Sequence, residues 1–168
     1  MKLTGLFIYP VKSLQGVSLE QSRVDALGLV HDRRFMVVDE SGRFLSQRTL
    51  PRMAQVATAI TEEHLILSAE GGAEHRVPWR VSGAPLMGVS VWGSHGLQAE
   101  ECGAESADWL SEVLQTPCRL VRIGDAFDRA ISKAGYARPG DRVAFADAFP
   151  FLIAGEESLL DLNQRIQE

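Results

Sequence analysis

A chain of 168 residues, 45% hydrophobic and 23% charged, has the size and composition of one globular domain, or of one small domain plus part of another. The net charge of −5 argues against a broad nucleic-acid surface, which needs cations to neutralise many phosphates, and no stretch approaches the roughly 18 apolar residues of a membrane helix. The two cysteines, Cys102 and Cys118, stand apart without a CxxC or Cys/His cluster; they carry no local zinc or iron–sulfur motif and read as free thiols of a reducing compartment.

Lys2 to Tyr9 is β-rich and ends at Pro10; its apolar run is too short for the core of a secretion signal and reads as a strand of a cytoplasmic protein. Gly16 to Val24 alternates, with Val17, Leu19 and Val24 expected inward. Arg34 to Asp39 and Phe44 to Ser46 flank Ser41-Gly42 as a hairpin, and Ala54 to Thr61 with Leu65 to Ser68 make a second. Further strands are expected at Arg76 to Val81, Val89 to Trp92 and Leu97 to Glu100, a spacing that suits a barrel or curled sheet. Ala107, Leu110 and Leu114 share one face of a helix over Ala104 to Gln115, which Pro117 keeps from continuing. Cys118 to Ile123 returns as a strand, and Gly124 to Asp141 is a loop. Val143 to Ala146 and Phe151 to Ala154 read as strands, and Glu156 to Gln167 as a second amphipathic helix. The fold class is mainly β with α: a barrel over 1–123, then a linker and the opening of a second domain over 124–168. That second domain is begun and not closed, which reads as a truncated chain.

Charge is uneven along the sequence. Residues 1–52 hold eight Lys/Arg against five Asp/Glu, whereas the remainder is strongly acidic, so a basic island sits in an acidic chain and suits a small anion. Three basic segments fall at strand ends: Lys12-Ser13 after Tyr9-Pro10-Val11, Arg33-Arg34 after Asp32, and Arg48 within Ser46 to Arg52. Strand alternation sends Arg33 and Arg34 to opposite faces, and Asp32 can pair with one guanidinium. Barrel rim loops lie close together, so these strand ends can converge. A lysine ammonium beside a hydroxyl, with the planar fork of an arginine, matches a phosphate. The ordinary alternative is solvated lysines and surface ion pairs worth ~0–1 kcal/mol. The four histidines form no HxxxH or HExxH pair, and no GxSxG, P-loop or GxGxxG is present. Trp79, Trp92 and Trp109 read as core or interface packing.

Together, Tyr9-Pro10-Val11-Lys12-Ser13 with Gly16, Asp32 to Asp39, Gln47-Arg48 with Pro51-Arg52, and Cys102-Gly103 before Trp109-Leu110 resemble the MOSC N-terminal β-barrel domain. Phe145 to Ile153, followed by Glu157-Ser158-Leu159 and Asp161-Leu162-Asn163, resembles the start of the MOSC domain itself. The resemblance spans nearly the whole chain and rests on the order of short motifs. The family includes the mitochondrial amidoxime-reducing component and bacterial MOSC proteins, some with a C-terminal ferredoxin domain.

The resemblance implies binding of a molybdopterin molybdenum cofactor and reduction of N-hydroxylated compounds, with electrons from a redox partner or an appended ferredoxin domain. It gives Lys12, Ser13 and Arg33 to the cofactor's phosphate and pterin, and brings Asp147 and the backbone near Ala148 and Phe149 to the cofactor; Phe149 stands where a relative has a serine. Arg34 and Arg48 join the expected cofactor-binding set from the basic strand ends. The family's metal-ligating cysteine lies beyond this sequence, and neither Cys102 nor Cys118 matches it. No catalytic or metal-ligating residue is therefore expected in these 168 residues, which should be inactive alone. The competing expectation is a non-catalytic carrier of the molybdenum cofactor or of a pyridoxal phosphate adduct, or a sulfur-transfer module. A third is an adaptor whose arginines are only structural.

Overall fold

A computed structural model describes residues 2–131 and 135–167. Its strands are β1 (Phe7–Ile8), β2 (Val11–Lys12), β3 (Val17–Ser18), β4 (Val24–Asp25), β5 (Gly28–Leu29), β6 (Phe35–Val38), β7 (Ala57–Ile60), β8 (His64–Ser68), β9 (His75–Pro78), β10 (Leu86–Val91), β11 (Ser94–Glu101) and β12 (Arg119–Arg122). Two helices, α1 (Ala104–Leu114) and α2 (Glu156–Gln167), and a 3₁₀ turn at Pro51–Gln55 complete an α+β fold.

The main sheet has five strands in the order β10-β11-β12-β6-β2, all antiparallel except the β2–β6 pair. A second sheet, β7-β8-β9, is antiparallel, and β1-β3 and β4-β5 form two-stranded antiparallel ribbons. β6 is the pivot. Its run Phe35-Met36-Val37-Val38 is buried on both faces, Phe35 and Val37 toward one core cluster, Met36 and Val38 toward another. A strand covered on both sides reads as continuous hydrophobic sequence, as this one does. The first cluster is completed by Met53, Leu65 and Leu67 and by Leu110 and Leu114 of α1. Burying each such leucine contributes about 1.5–3 kcal/mol.

α1 matches the expected helix to within a residue. Gln115 ends it in the left-handed conformation at φ 52°, and Thr116 returns its N–H to the Ser111 carbonyl before Pro117. The hairpin after β6 forms as expected, with Val38 paired to Phe44 and Leu45 N–H bonded to the Val37 carbonyl. Gly42 sits at its tip with φ 77°, and a Cβ there would meet the Gly88 carbonyl at 2.1 Å, so only glycine fits.

Four expectations change. Lys2 to Tyr9 pairs only over Phe7–Ile8, because β3 offers just two partners, and Val24 points to solvent on the exposed β4–β5 ribbon. Val143 to Ala146 is extended but joins no ladder; it is held by single bonds, Val143 N–H to Arg129 O and Phe145 N–H to Arg33 O. Phe151 to Ala154 likewise forms no strand, and its side chains are exposed. Burial does not stop at Ile123: Val143 to Ala146 are buried, and Phe145 packs into the second cluster beside Met36, Val38 and Val121. Beyond Pro150 no described residue is buried, α2 included. No helix among the described residues is long and apolar enough to cross a membrane.

Candidate functional site

The parallel pairing of β2 with β6 decides where the basic segments go. Val11 lies opposite Phe35 and Lys12 opposite Met36, while Arg33 N–H donates to Tyr9 O at 2.8 Å and Phe35 N–H to Pro10 O at 3.0 Å. Pro10 donates nothing to the ladder, and the chain bends there without orphaning a buried N–H. Two residues distant in sequence thereby become neighbours at one sheet end.

Asp32 fixes the junction. It is buried, accepts the Tyr9 N–H at 2.7 Å on one carboxylate oxygen, and pairs with the Arg33 guanidinium through the other. Arg33 in turn lies 5.0 Å over the Tyr9 ring. Lys12 is not a solvated lysine: only 5% of it is exposed. Its ammonium lies 5.1 Å from the Phe44 ring centroid and 5.9 Å from that of Trp92, and it donates to Asp147. Burial pushes the Lys12 ammonium below its ordinary value, and the Asp147 bond and charge oppose this only in part. Burial alone would raise the Asp147 carboxyl; hydrogen bonds from Lys12 and the Trp92 indole, with the charges of Lys12 and Arg48, outweigh it and hold that group below the usual carboxylate range.

Two connected recesses open around this pair. One, of about 410 Å³, is lined by Tyr9, Lys12, Ser13 and Arg33 on the sheet side and by Ala146 to Phe149, Phe151 and Leu152 on the other. The second, of about 280 Å³, shares Tyr9, Lys12, Ser13 and Asp147 and adds Phe44, Ser46, Gln47, Arg48 and Trp92. Arg48 stacks 5.0 Å over Trp92. Lys12, Ser13, Arg33, Arg48 and Asp147 thus line one composite cleft.

Strain collects here. Ser13 (φ 67°), Arg33 (φ 48°) and Trp92 (φ 51°) all adopt the left-handed region that ordinary side chains avoid. Such conformations cost about 1–3 kcal/mol each and persist where surrounding bonds impose them, most often at functional sites. The bonds are visible: Gln47 donates to the Ser13 carbonyl at 2.9 Å, and Arg33 is held through both its amide and its guanidinium.

Arg34 does not join the group. Strand alternation turns it to the other face, where it makes two bonds to the Asp25 carboxylate, at 2.8 and 3.0 Å, and one to the Leu29 carbonyl. It lines a separate cleft of about 760 Å³ with His31, Trp79 and the buried Arg122. Arg122 is spent on Glu100 and the Pro78 and Val81 carbonyls, and burial lowers His31.

Sequence reading missed Trp92, Gln47 and Arg129. Trp92 is half-exposed at the β10–β11 turn, not packed in a core, and the Gly93 that follows it marks that turn. Arg129, in an aperiodic loop, gave no signal. It is almost fully buried, and its guanidinium donates to the Ala144 (2.8 Å), Ala146 (2.5 Å) and Asp147 (3.1 Å) carbonyls and its Nε to Ser94 Oγ (3.2 Å). That fork carries the 144–147 backbone to Lys12.

The chemistry of these donors fits the phosphate and polar edge of a pterin: cations, a hydroxyl and aromatic faces. No group of three His, Cys, Asp or Glu among the described residues could hold a metal ion, Cys118 is buried, and burial pushes the Cys102 thiol up to about 12.

Comparison with known proteins gives the family. The MOSC N-terminal beta barrel domain matches residues 1–117. The chain is 34% identical over 172 residues to "Mitochondrial amidoxime-reducing component 1" of Mus musculus, covering 96% of this chain and 50% of that protein. It is 32% identical to "Mitochondrial amidoxime reducing component 2" of Bos taurus over 99% of the chain and 52% of that protein, and 28% identical to the "Molybdenum cofactor sulfurase" of Solanum lycopersicum over 98% of the chain and 21% of that protein. The chain therefore spans about half the length of the amidoxime-reducing relatives it matches. A solution structure from Bordetella bronchiseptica, 20% identical, superposes with a TM-score of 0.51 over 66% of this chain and 94% of that one, a likeness of fold. With most of its length matched by one domain profile, the chain belongs to the MOSC N-terminal β-barrel domain family.

Proposed function

We propose that the composite cleft holds the phosphate and pterin edge of a molybdenum cofactor, as part of a longer cytoplasmic oxidoreductase that reduces N-hydroxylated compounds. The observation that carries this reading is the meeting of Lys12, Ser13 and Arg33 with Arg48 around one cleft, built on strained backbone and buried pairing. When bound, the cofactor supplies the redox chemistry. Lys12 and Ser13 grip the phosphate, Arg33 presents its fork to the pterin edge, and Arg48 adds a third cation at the rim. Asp32 keeps Arg33 aimed, and the 146–149 backbone forms the far wall. The metal's protein ligand lies outside these residues, so these 168 residues bind without turning over, and electrons come from a redox partner or an appended ferredoxin domain.

Titration calorimetry of the chain with free molybdopterin tests this. Lys12→Met and Arg33→Met should each weaken binding about tenfold or more, the usual loss for a charge-assisted contact. Unchanged affinity in both variants would leave the arginine and lysine merely structural. A cofactor carrier or sulfur-transfer module is the second reading, favoured by the likeness to the tomato sulfurase. A pyridoxal phosphate adduct would use the same phosphate grip, and competition between it and molybdopterin separates the two.

A further inference from the structure

The Lys12 ammonium, the most buried cation of the cleft, already has an anion on it. Asp147 Oδ1 accepts from Lys12 Nζ and, at 3.0 Å, from the Trp92 indole N–H. The Asp147 backbone cannot drift, because Arg129 donates to its carbonyl at 3.1 Å. Three residues on, Pro150 packs against Gly28, where an added Cβ would sit 2.7 Å from the Pro150 Cβ. The 147–150 strap is therefore fastened at Asp147 and at Pro150, while the Asp147 side chain itself is 60% exposed.

The geometry points to Asp147 as the specificity-determining residue of the cleft: its carboxylate is a tethered internal anion that a ligand must displace from Lys12 and Trp92, so that a phosphate dianion enters and a monovalent anion does not. This rests on the phosphate-binding reading above. Tethering gives the carboxylate a high effective concentration at Lys12. A free monoanion offers Lys12 the same single charge without that advantage. A phosphate dianion has twice the charge and enough acceptor oxygens to reach Ser13 and the Arg33 and Arg48 guanidinia together. Displacement turns one carboxylate into solvent and leaves the Trp92 N–H to the phosphate or to water. A neutral or singly charged compound finds the lysine closed to it.

The Trp92 indole N–H resonance of the ¹⁵N-labelled chain, identified by its loss in Trp92→Phe, reports this exchange directly. Inorganic phosphate near pH 8 should shift it in the wild type, and acetate at the same concentration should not. Asp147→Asn keeps the shape and removes the charge. It should bind phosphate about tenfold more tightly, the weight of one charge-assisted bond, and should begin to bind acetate. Lys12→Met should abolish the phosphate response in both backgrounds. If the wild type binds phosphate but Asp147→Asn binds it equally or more weakly, or still ignores acetate, Asp147 is no competitor and this inference is overturned while the phosphate site stands. If neither protein binds phosphate, the inference and the phosphate reading are both overturned.

Discussion

At the level of single residues, the fold is a balance between burial and pairing. Asp25, Asp39 and Asp147 are all held below the ordinary carboxylate value of 3.8; burial opposes this in each case, and hydrogen bonds and neighbouring cations outweigh it. A carboxylate whose folded value is depressed favours the folded state fully above its unfolded value, and that contribution is lost as pH falls through the folded one. Acid unfolding should therefore steepen below pH 3.8, and Asp147→Asn should flatten that limb in urea unfolding measured from pH 2 to 5. Lys12 gives a slope of the same sign at the alkaline end: a folded value below 10.5 means the folded chain sheds its proton first, so stability rises with pH between the lowered value and 10.5. Cys102, pushed up to about 12 by burial, should resist iodoacetamide at pH 8 in the folded chain and react at once in urea. The sequence made Lys12, Ser13, Arg33 and Arg48 legible because basic residues at strand ends before or beside prolines are unusual in an acidic chain. It put Arg34 with them although strand alternation already assigned it to the opposite face. Arg129 stayed invisible because a buried arginine in a loop has no period to betray it.

Among the elements, β6 and the 143–146 segment matter most. β6 was readable because four consecutive apolar residues bounded by charges fit a strand buried on both faces. The 143–146 segment has the same apolar look and is not a strand; single backbone bonds to Arg129 and Arg33 hold it in place of a ladder. Hydropathy reports burial; only the partner decides the ladder. Phe145 is fully buried in the second cluster, so Phe145→Ala should cost about 3–5 kcal/mol in equilibrium unfolding, as expected of a core phenylalanine. A loss below ~1 kcal/mol would show that the segment lies loosely on the barrel. Arg129→Ala would strip the donors from three carbonyls and should cost about 2–4 kcal/mol by the same measurement.

On the scale of the whole molecule, the barrel and its wrapped segment form the packed body, and residues 151–167 lie outside it. Leu152 and Ile153 are each 87% exposed, and Leu159, Leu160, Leu162 and Ile166 leave an apolar stripe on α2 with no partner among the described residues. Removing everything after Pro150 should leave the melting temperature within about 2 °C, because little buried surface is lost, and should reduce self-association in sedimentation velocity. The sequence displayed the amphipathic period of this helix plainly. Which surface meets its apolar face is a matter of tertiary contact, which periodicity does not encode.

The parallel pairing of β2 with β6 also bears on how such proteins can diverge. Because Lys12 and Arg33 are brought together by backbone bonds between their own strands, the connection from Ser13 to Asp32 is not a ruler between them. The exposed turn around Glu20 and Gln21 could lengthen or shorten over generations without moving either cation. Kinship within such proteins is then better traced by the order of their short signatures than by the gaps that separate them.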